Sequence, residues 1–304
     1  MKRPPANDPG NETSERNTDR DIPAVISLVH ELCEAMATWP EVNAIALGGS
    51  RATGLASATS DIDLYVYAQQ DPPVVRRREL FFPRAAHLEV DNRFWENGDE
   101  WIDRETGVVV DLMYRAPEWI DAALARALDE HQCSVGYSTC LWHNIRTAKI
   151  LFDRNGWFAD LHAKAQQPYP AQLARAIIAK NYPLLRGATS SFPMQILRAV
   201  DREDVVSVNH RIAAFFASYF DVLFALNGMP HPGEKRLVEH ASQLLLSPDS
   251  LCHDVNLILR AATSRKRKTL LLLLDKLVDD LEPLLGRSAL HSNHQSDEHK
   301  VLPI

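Results

Sequence analysis

The chain reads as an α+β protein, a strand-bearing first part followed by an all-helical second part, on three observations. Apolar and β-branched runs bounded by turn residues recur at Ala44–Leu47, Ile62–Val66 and Val108–Tyr114. From Pro117 onward the apolar spacing becomes helical almost throughout. The length of 304 residues, 45% of them hydrophobic, suggests two domains with ample core.

Met1–Arg20 is polar and proline-bearing, and is expected not to order on its own. Asp21–Thr38 then carries Ile22, Val25, Ile26, Val29, Leu32 and Cys33 at helical spacing. Ala44–Leu47 has the length and flanks of a buried strand and stops at Gly48-Gly49. A short helical turn over about Ser50–Leu55 follows, then a strand through Ser60–Tyr67. Pro72–Arg84 reads as a helix and Arg84–Arg104 as a strand-and-loop region in which Asn92–Asp103 looks too polar for a core. Gly107–Tyr114 is the best strand after that. Helical segments are expected near 117–131, 135–152, 171–185, 192–199, 205–226, 234–246 and 269–285, and the polar residues 288–304 resemble the N-terminal stretch. The expected divisions are therefore 1–20 and 288–304 as disordered tails, 21–116 as a strand-bearing domain, and 117–287 as a helical one. No internal repeat stands out.

The residues after the first strand carry the chemistry. Gly48 and Gly49 let the backbone approach a ligand closely and adopt positive φ. Their N–H groups and the Ser50 hydroxyl can point at an anionic oxygen. Strand geometry then puts Asp61 and Asp63 on one face of Ser60–Tyr67, with Ile62, Leu64 and Val66 on the other. Two carboxylates that close repel, so the pair implies a cation between them or a shared proton. Oxygen-only donors beside a phosphate turn favour Mg²⁺. A bare Asp-x-Asp would be read as a solvated strand; the glycine turn ahead of it tips the balance to function.

Gly49-Ser50, the ten-residue spacer and Asp61-Ile62-Asp63 resemble the signature of the DNA polymerase β-like nucleotidyltransferase superfamily, here its small-molecule, antibiotic-type branch. The resemblance is confident over residues 22 to 115. It implies a small mixed sheet with helices behind it, two Mg²⁺ ions, and transfer of a nucleoside monophosphate from a nucleoside triphosphate with release of pyrophosphate. It makes 21–116 the catalytic domain and 117–287 a domain that closes over it and builds much of the acceptor site. From Tyr137 through Arg236 the chain is similar to a bacterial domain-of-unknown-function family within that superfamily.

The resemblance also calls for a third carboxylate on a neighbouring strand. Asp111, embedded in Val108-Val109-Val110-Asp111-Leu112, is the favoured match, because a charge in such a run is expensive to bury without a partner. Glu89 and Asp91 alternate onto one face and compete with it. On the two-metal template, Asp61 and Asp63 hold both ions and Asp111 the one nearest the acceptor, while Gly49, Ser50, Arg51 and Ser60 form the phosphate side. Lys235, just beyond a turn holding two glycines and two prolines, is a further phosphate contact. Asn209, His210, Arg211, Tyr219 and Asp221 on one long helix, and the polar and aromatic cluster Gly136–Asn144, read equally as packing or as cleft lining. The acidic loop from Trp95 to Trp101, with its two tryptophans, would suit a cationic acceptor.

Composition narrows the partners. A net charge of -7 and a pI near 5.9 offer no global attraction for nucleic acid, and Ser264–Lys268 is the lone basic run. Cys33, Cys133, Cys140 and Cys252 form no metal-binding spacing and read as free thiols of a cytoplasmic protein. No hydrophobic leader and no membrane span is expected. The expected activity is transfer of AMP from ATP to a hydroxyl of a small molecule. The alternatives are a protein adenylyltransferase of antitoxin type and a non-catalytic nucleotide-binding module.

Overall fold

A computed structural model describes residues 18–57, 59–263 and 267–297. The expectations for 1–17 and 298–304, and for Ser264, Arg265 and Lys266 of the basic run, lie outside these residues. The chain divides into two compact units, one running to Pro117 and including Ala148–Phe158, the other made of Glu118–Thr147 and the residues from Ala159 onward.

The first unit is a six-stranded mixed sheet with helices behind it. Its strands are β1 (Val42–Leu47), β2 (Ile62–Ala68), β3 (Ala85–Asn92), β4 (Gly98–Asp103), β5 (Val109–Arg115) and β6 (Lys149–Asp153), in the order β3-β4-β5-β2-β1-β6. Only β2 and β5 run parallel; the other pairs are antiparallel. The apolar side chains Ile62, Leu64 and Val66 of β2 and Val110 and Leu112 of β5 meet Val25, Leu28, Leu32 and Met36 of α1 (Thr18–Ala37) in one core. Phe81, at the end of α3 (Val74–Phe81), stacks on Trp101 of β4 with centroids 4.4 Å apart. Tyr65 and Tyr67 point to the opposite face, where Tyr67 stacks on Phe158 at 4.6 Å. β2 is thus buried on both faces apart from Asp63.

Two local readings change. Residues 98–103, expected to be too polar for a core, form the inner strand β4, with Asp99 and Asp103 buried. The reason is charge satisfaction. Asp99 accepts from Arg77 Nη1 at 2.7 Å, from Tyr114 Oη at 2.7 Å and from the Asp91 backbone N–H at 2.9 Å. The second change concerns 135–152, expected as one helix. It splits into α5 (Cys140–Thr147) and β6, whose Lys149 pairs with Leu47 on the edge of the sheet.

The second unit is helical, holding α4 (Pro117–Leu128), α5, most of α6 (Trp157–Ala165), α7 (Ala171–Leu185), α8 (Phe192–Asp201), α9 (Val205–Leu226), α10 (Leu237–Ser242), α11 (Leu251–Thr263) and α12 (Arg267–Asp297). α9 is its axis: Ile212, Phe215, Tyr219, Val222, Leu223 and Leu226 pack with Ile196, Ile258, Leu274 and Leu281 from α8, α11 and α12. The Asp204 carboxylate caps α9 by accepting from the Ser207 N–H at 3.0 Å. Leu270 and Leu274 are buried as the helical stripe requires, and α12 continues past Ser288 to Asp297. Among the described residues no helix is long and apolar enough to cross a membrane.

Candidate active site

The glycine turn is pressed onto the carboxylate strand. β1 ends at Leu47, and the Gly48 N–H donates to the Asp63 carbonyl at 2.8 Å, which closes the turn over β2. α2 (Gly49–Thr53) starts there with Gly49 at φ 59°, and a Cβ on Gly49 would run into the Asp63 carboxylate. A Cβ on Gly48 would strike the Tyr65 ring in the same way. Glycine is required at 49 on both counts, conformation and space. Gly54, at φ 79°, ends α2 in the left-handed region.

Arg51, expected on the phosphate side, also has a local structural task. Its Nε donates to the carbonyls of Ser60 and Asp61 at 3.1 and 3.0 Å, and its Nη2 also reaches the Ser60 carbonyl. The guanidinium therefore ties α2 to the start of β2 and fixes where Asp61 leaves the loop. The Ser60 hydroxyl accepts from the Ser57 N–H at 2.9 Å and braces the same loop. Lys149 Nζ, on β6, donates to the Arg51 carbonyl at 3.3 Å, which brings a second cation to α2 that sequence reasoning missed. It was hidden because 135–152 read as a helix.

Asp63 and Asp111 occupy matched positions on the parallel strands β2 and β5. The row continues: Asp111 faces Glu100 on β4, and Glu100 faces Glu89 on β3. Burial, and then the charges of Asp63, Glu100, Glu96 and Asp61, push the Asp111 carboxyl up to about 6. Of the two competitors for the third carboxylate, Glu89 lies on the edge strand β3, and Asp91, at φ 64°, is engaged by Arg77 and Arg93 at 3.4 and 3.2 Å. Glu96 is held by Arg115, which donates from Nε and Nη2 at 2.8 Å each. Phe94 and Trp95, on the β3–β4 turn, are 80% and 97% exposed.

Among the described residues, no three His, Cys, Asp or Glu side chains stand together in a metal-holding group. The donor set is nonetheless one a hard divalent cation suits: carboxylate oxygens only, one of them already raised by its like-charged neighbours. The remaining candidates lie in the second unit. Lys235 is exposed in the turn before α10, next to Arg236, which is left-handed at φ 55° and forks onto Glu239. Asn209 and His210 are exposed, whereas Tyr219 and Asp221 are buried at 0% and 1% exposure, so the latter two are packing groups. Trp142 is core as well, its indole N–H donating to the Ala165 carbonyl at 2.8 Å. All four cysteines are free.

Residues 29–132 match the model of the nucleotidyltransferase domain, and residues 138–236 match that of a domain of unknown function, DUF4037. No curated protein matches the sequence. Similar solved structures include a nucleotidyltransferase-like protein from Exiguobacterium sibiricum 255-15, at 12% identity over 89% of this chain and 80% of that one, with a TM-score of 0.41. Also similar are the Thermotoga maritima CCA-adding enzyme complexed with tRNA, at 11% identity over 90% and 85% with a TM-score of 0.26, and a STING-associated CdnE c-di-GMP synthase from Capnocytophaga granulosa, at 12% over 91% and 84% with a TM-score of 0.24.

Proposed function

We propose that this chain, whose residues 29–132 match the nucleotidyltransferase domain model, transfers AMP from ATP to a hydroxyl of a small molecule, releasing pyrophosphate. The observation that carries the reading is the register of Asp63 on Asp111 directly beneath a turn that only glycine can make. Asp61, Asp63 and Asp111 would hold divalent cations, two Mg²⁺ in this reading, which when bound neutralise phosphate charge and acidify the acceptor hydroxyl.

The chain's own residues do the rest. Gly49 and Ser50 offer N–H and hydroxyl donors to the β and γ phosphate oxygens, and Arg51 and Ser60 hold that turn against β2. Asp111 stands on the acceptor side and takes the hydroxyl proton. Catalysis is positioning plus charge stabilisation for in-line attack at the α phosphorus. Lys235 is assigned to a phosphate oxygen. The domain divisions at 21–116 and 117–287 follow the same reading, as does a cytoplasmic protein of free thiols. The net charge of -7 supports a small acceptor over nucleic acid.

The test incubates purified protein with each of the four α-labelled nucleoside triphosphates and Mg²⁺, together with either a metabolite and antibiotic panel or a cell lysate. Label passing from ATP to a small molecule is the expected result. Label on a protein band or on RNA overturns the acceptor, and absence of pyrophosphate release in every arm overturns the transfer itself.

A further inference from the structure

We propose that the chain associates with a second copy of itself through β3, the two strands pairing antiparallel about a twofold axis at Leu88, with Phe82 of each copy packed on Phe94 and Trp95 of the other. The surface lies wholly within the first unit, and the proposal is independent of the nucleotidyl-transfer reading.

β3 ends the sheet on its side, with no described strand beyond it. One row of its backbone N–H and C=O groups is therefore open to pairing. Register shifts between Ala85 and His87 and between Val90 and Asn92 confine the regular ladder to His87–Val90. Such irregularities guard an edge against open-ended growth, but His87-Leu88-Glu89-Val90 itself holds neither the lysine nor the proline that would forbid a partner. Leu88 packs against the core, so His87 and Glu89 share the opposite face. Both are exposed, with His87 Nε2 and Glu89 Oε1 3.3 Å apart.

That pair makes the strand complementary to itself. A twofold axis normal to the sheet continues core face with core face, and in an antiparallel pair it must then pass at a residue. At Leu88 it sets His87 opposite the partner's Glu89, twice over. At Glu89 it would set two glutamates opposite each other, at His87 two histidines, and at Val90 Glu89 against the partner's Asp91. Like groups directly opposite are unfavourable, and a donor facing a carboxylate is favourable.

Four paired residues are too few to hold two chains together, and the ends of β3 supply the rest. Phe82, 71% exposed, precedes Leu88 by six positions; Phe94 follows it by six, with Trp95 next, both exposed. Rotation about Leu88 carries Phe82 of one copy towards Phe94 and Trp95 of the other at each end of the strand pair. Three rings from each copy, at about 150–250 Å² apiece when buried, come to about 1,000 Å², the size a stable interface needs.

The experiment measures mass by sedimentation velocity and light scattering across a concentration series of the full chain. The parent is expected to reach twice the chain mass. Phe94→Ser/Trp95→Ser is expected to weaken association about tenfold or more, from the usual worth of buried aromatic anchors. His87→Glu, which faces the partner's Glu89 with like charge, is expected to weaken it too, and His87→Glu/Glu89→His to restore it. A parent that stays monomeric throughout overturns the proposal, as does assembly beyond a dimer. A dimer that Phe94→Ser/Trp95→Ser leaves intact belongs to another face and overturns it as well. Failure of the exchanged pair to restore association overturns the pairing about Leu88. Circular dichroism checks folding of each variant; should the aromatic variant not fold, His87→Glu and its exchange decide alone.

Discussion

Asp63 and Asp111 face each other across the one parallel strand pair of the sheet, at matched register, so their negative charges are held together by the backbone itself. In the proposed reading a cation offsets their repulsion. Asp63→Asn and Asp111→Asn are each expected to lower pyrophosphate release at least a hundredfold while leaving the thermal midpoint unchanged or raised, because each removes like-charge repulsion. Normal turnover in both variants, measured beside differential scanning calorimetry, would contradict the assignment.

Gly49→Ala tests the close approach. The new Cβ must displace the Asp63 carboxylate and hold φ near 59°, so both stability and activity fall. A loss of about 1–3 kcal/mol in urea unfolding is expected, accompanied by loss of pyrophosphate release. Gly54→Ala, with open space around it, is the control: its loss is confined to the strain of φ 79° and activity survives.

The buried charge of β4 gives a stability prediction. Asp99→Ala leaves Arg77 buried without its closest carboxylate and is expected to cost about 3–5 kcal/mol. Tyr114→Phe removes a single hydrogen bond to the same carboxylate and is expected to cost about 1–2 kcal/mol. Chemical denaturation of the two variants checks the order; equal losses would show that Arg77 is not the partner that permits Asp99 to be buried.

Asp221 predicts a pH dependence. Burial pushes its carboxyl up to about 6 from an ordinary 3.8, against the opposing hydrogen bonds from Ser138. A raised folded pKa means that the folded state holds the proton more tightly. The stability it contributes is complete below 3.8 and is lost as pH rises to about 6. Relative to Asp221→Asn, the parent is therefore expected to lose about 3 kcal/mol between those limits, from about 1.4 kcal/mol per pKa unit, with a flat difference above. A difference that stays constant with pH would mean that Asp221 titrates normally.

What was legible in the sequence was local. The glycine pair, the strand that follows it and the alternation of Asp61 and Asp63 need only the two-residue period of a strand and the absence of a Cβ. The apolar run around Asp111 marked a buried strand for the same reason, and helical spacing carried most of the second unit. The β4 strand was not legible, because Asp99 and Asp103 are read as loop residues until Arg77, 22 positions before Asp99, is known to neutralise it. Nor was β6, a five-residue strand adjoining a helix of eight.

The sequence by itself determined the motif, the fold class and the type of chemistry, since these follow from neighbours along the chain. Tertiary structure decided which carboxylates share a row, that Arg51 is turned onto the Ser60 and Asp61 carbonyls, and that the Gly136 and Ser138 N–H groups are held by side chains 45 and 83 residues away along the chain. Each of these is a partnership between residues distant in sequence. Spacing records which residues share a face; only strand order, register and packing say what that face meets.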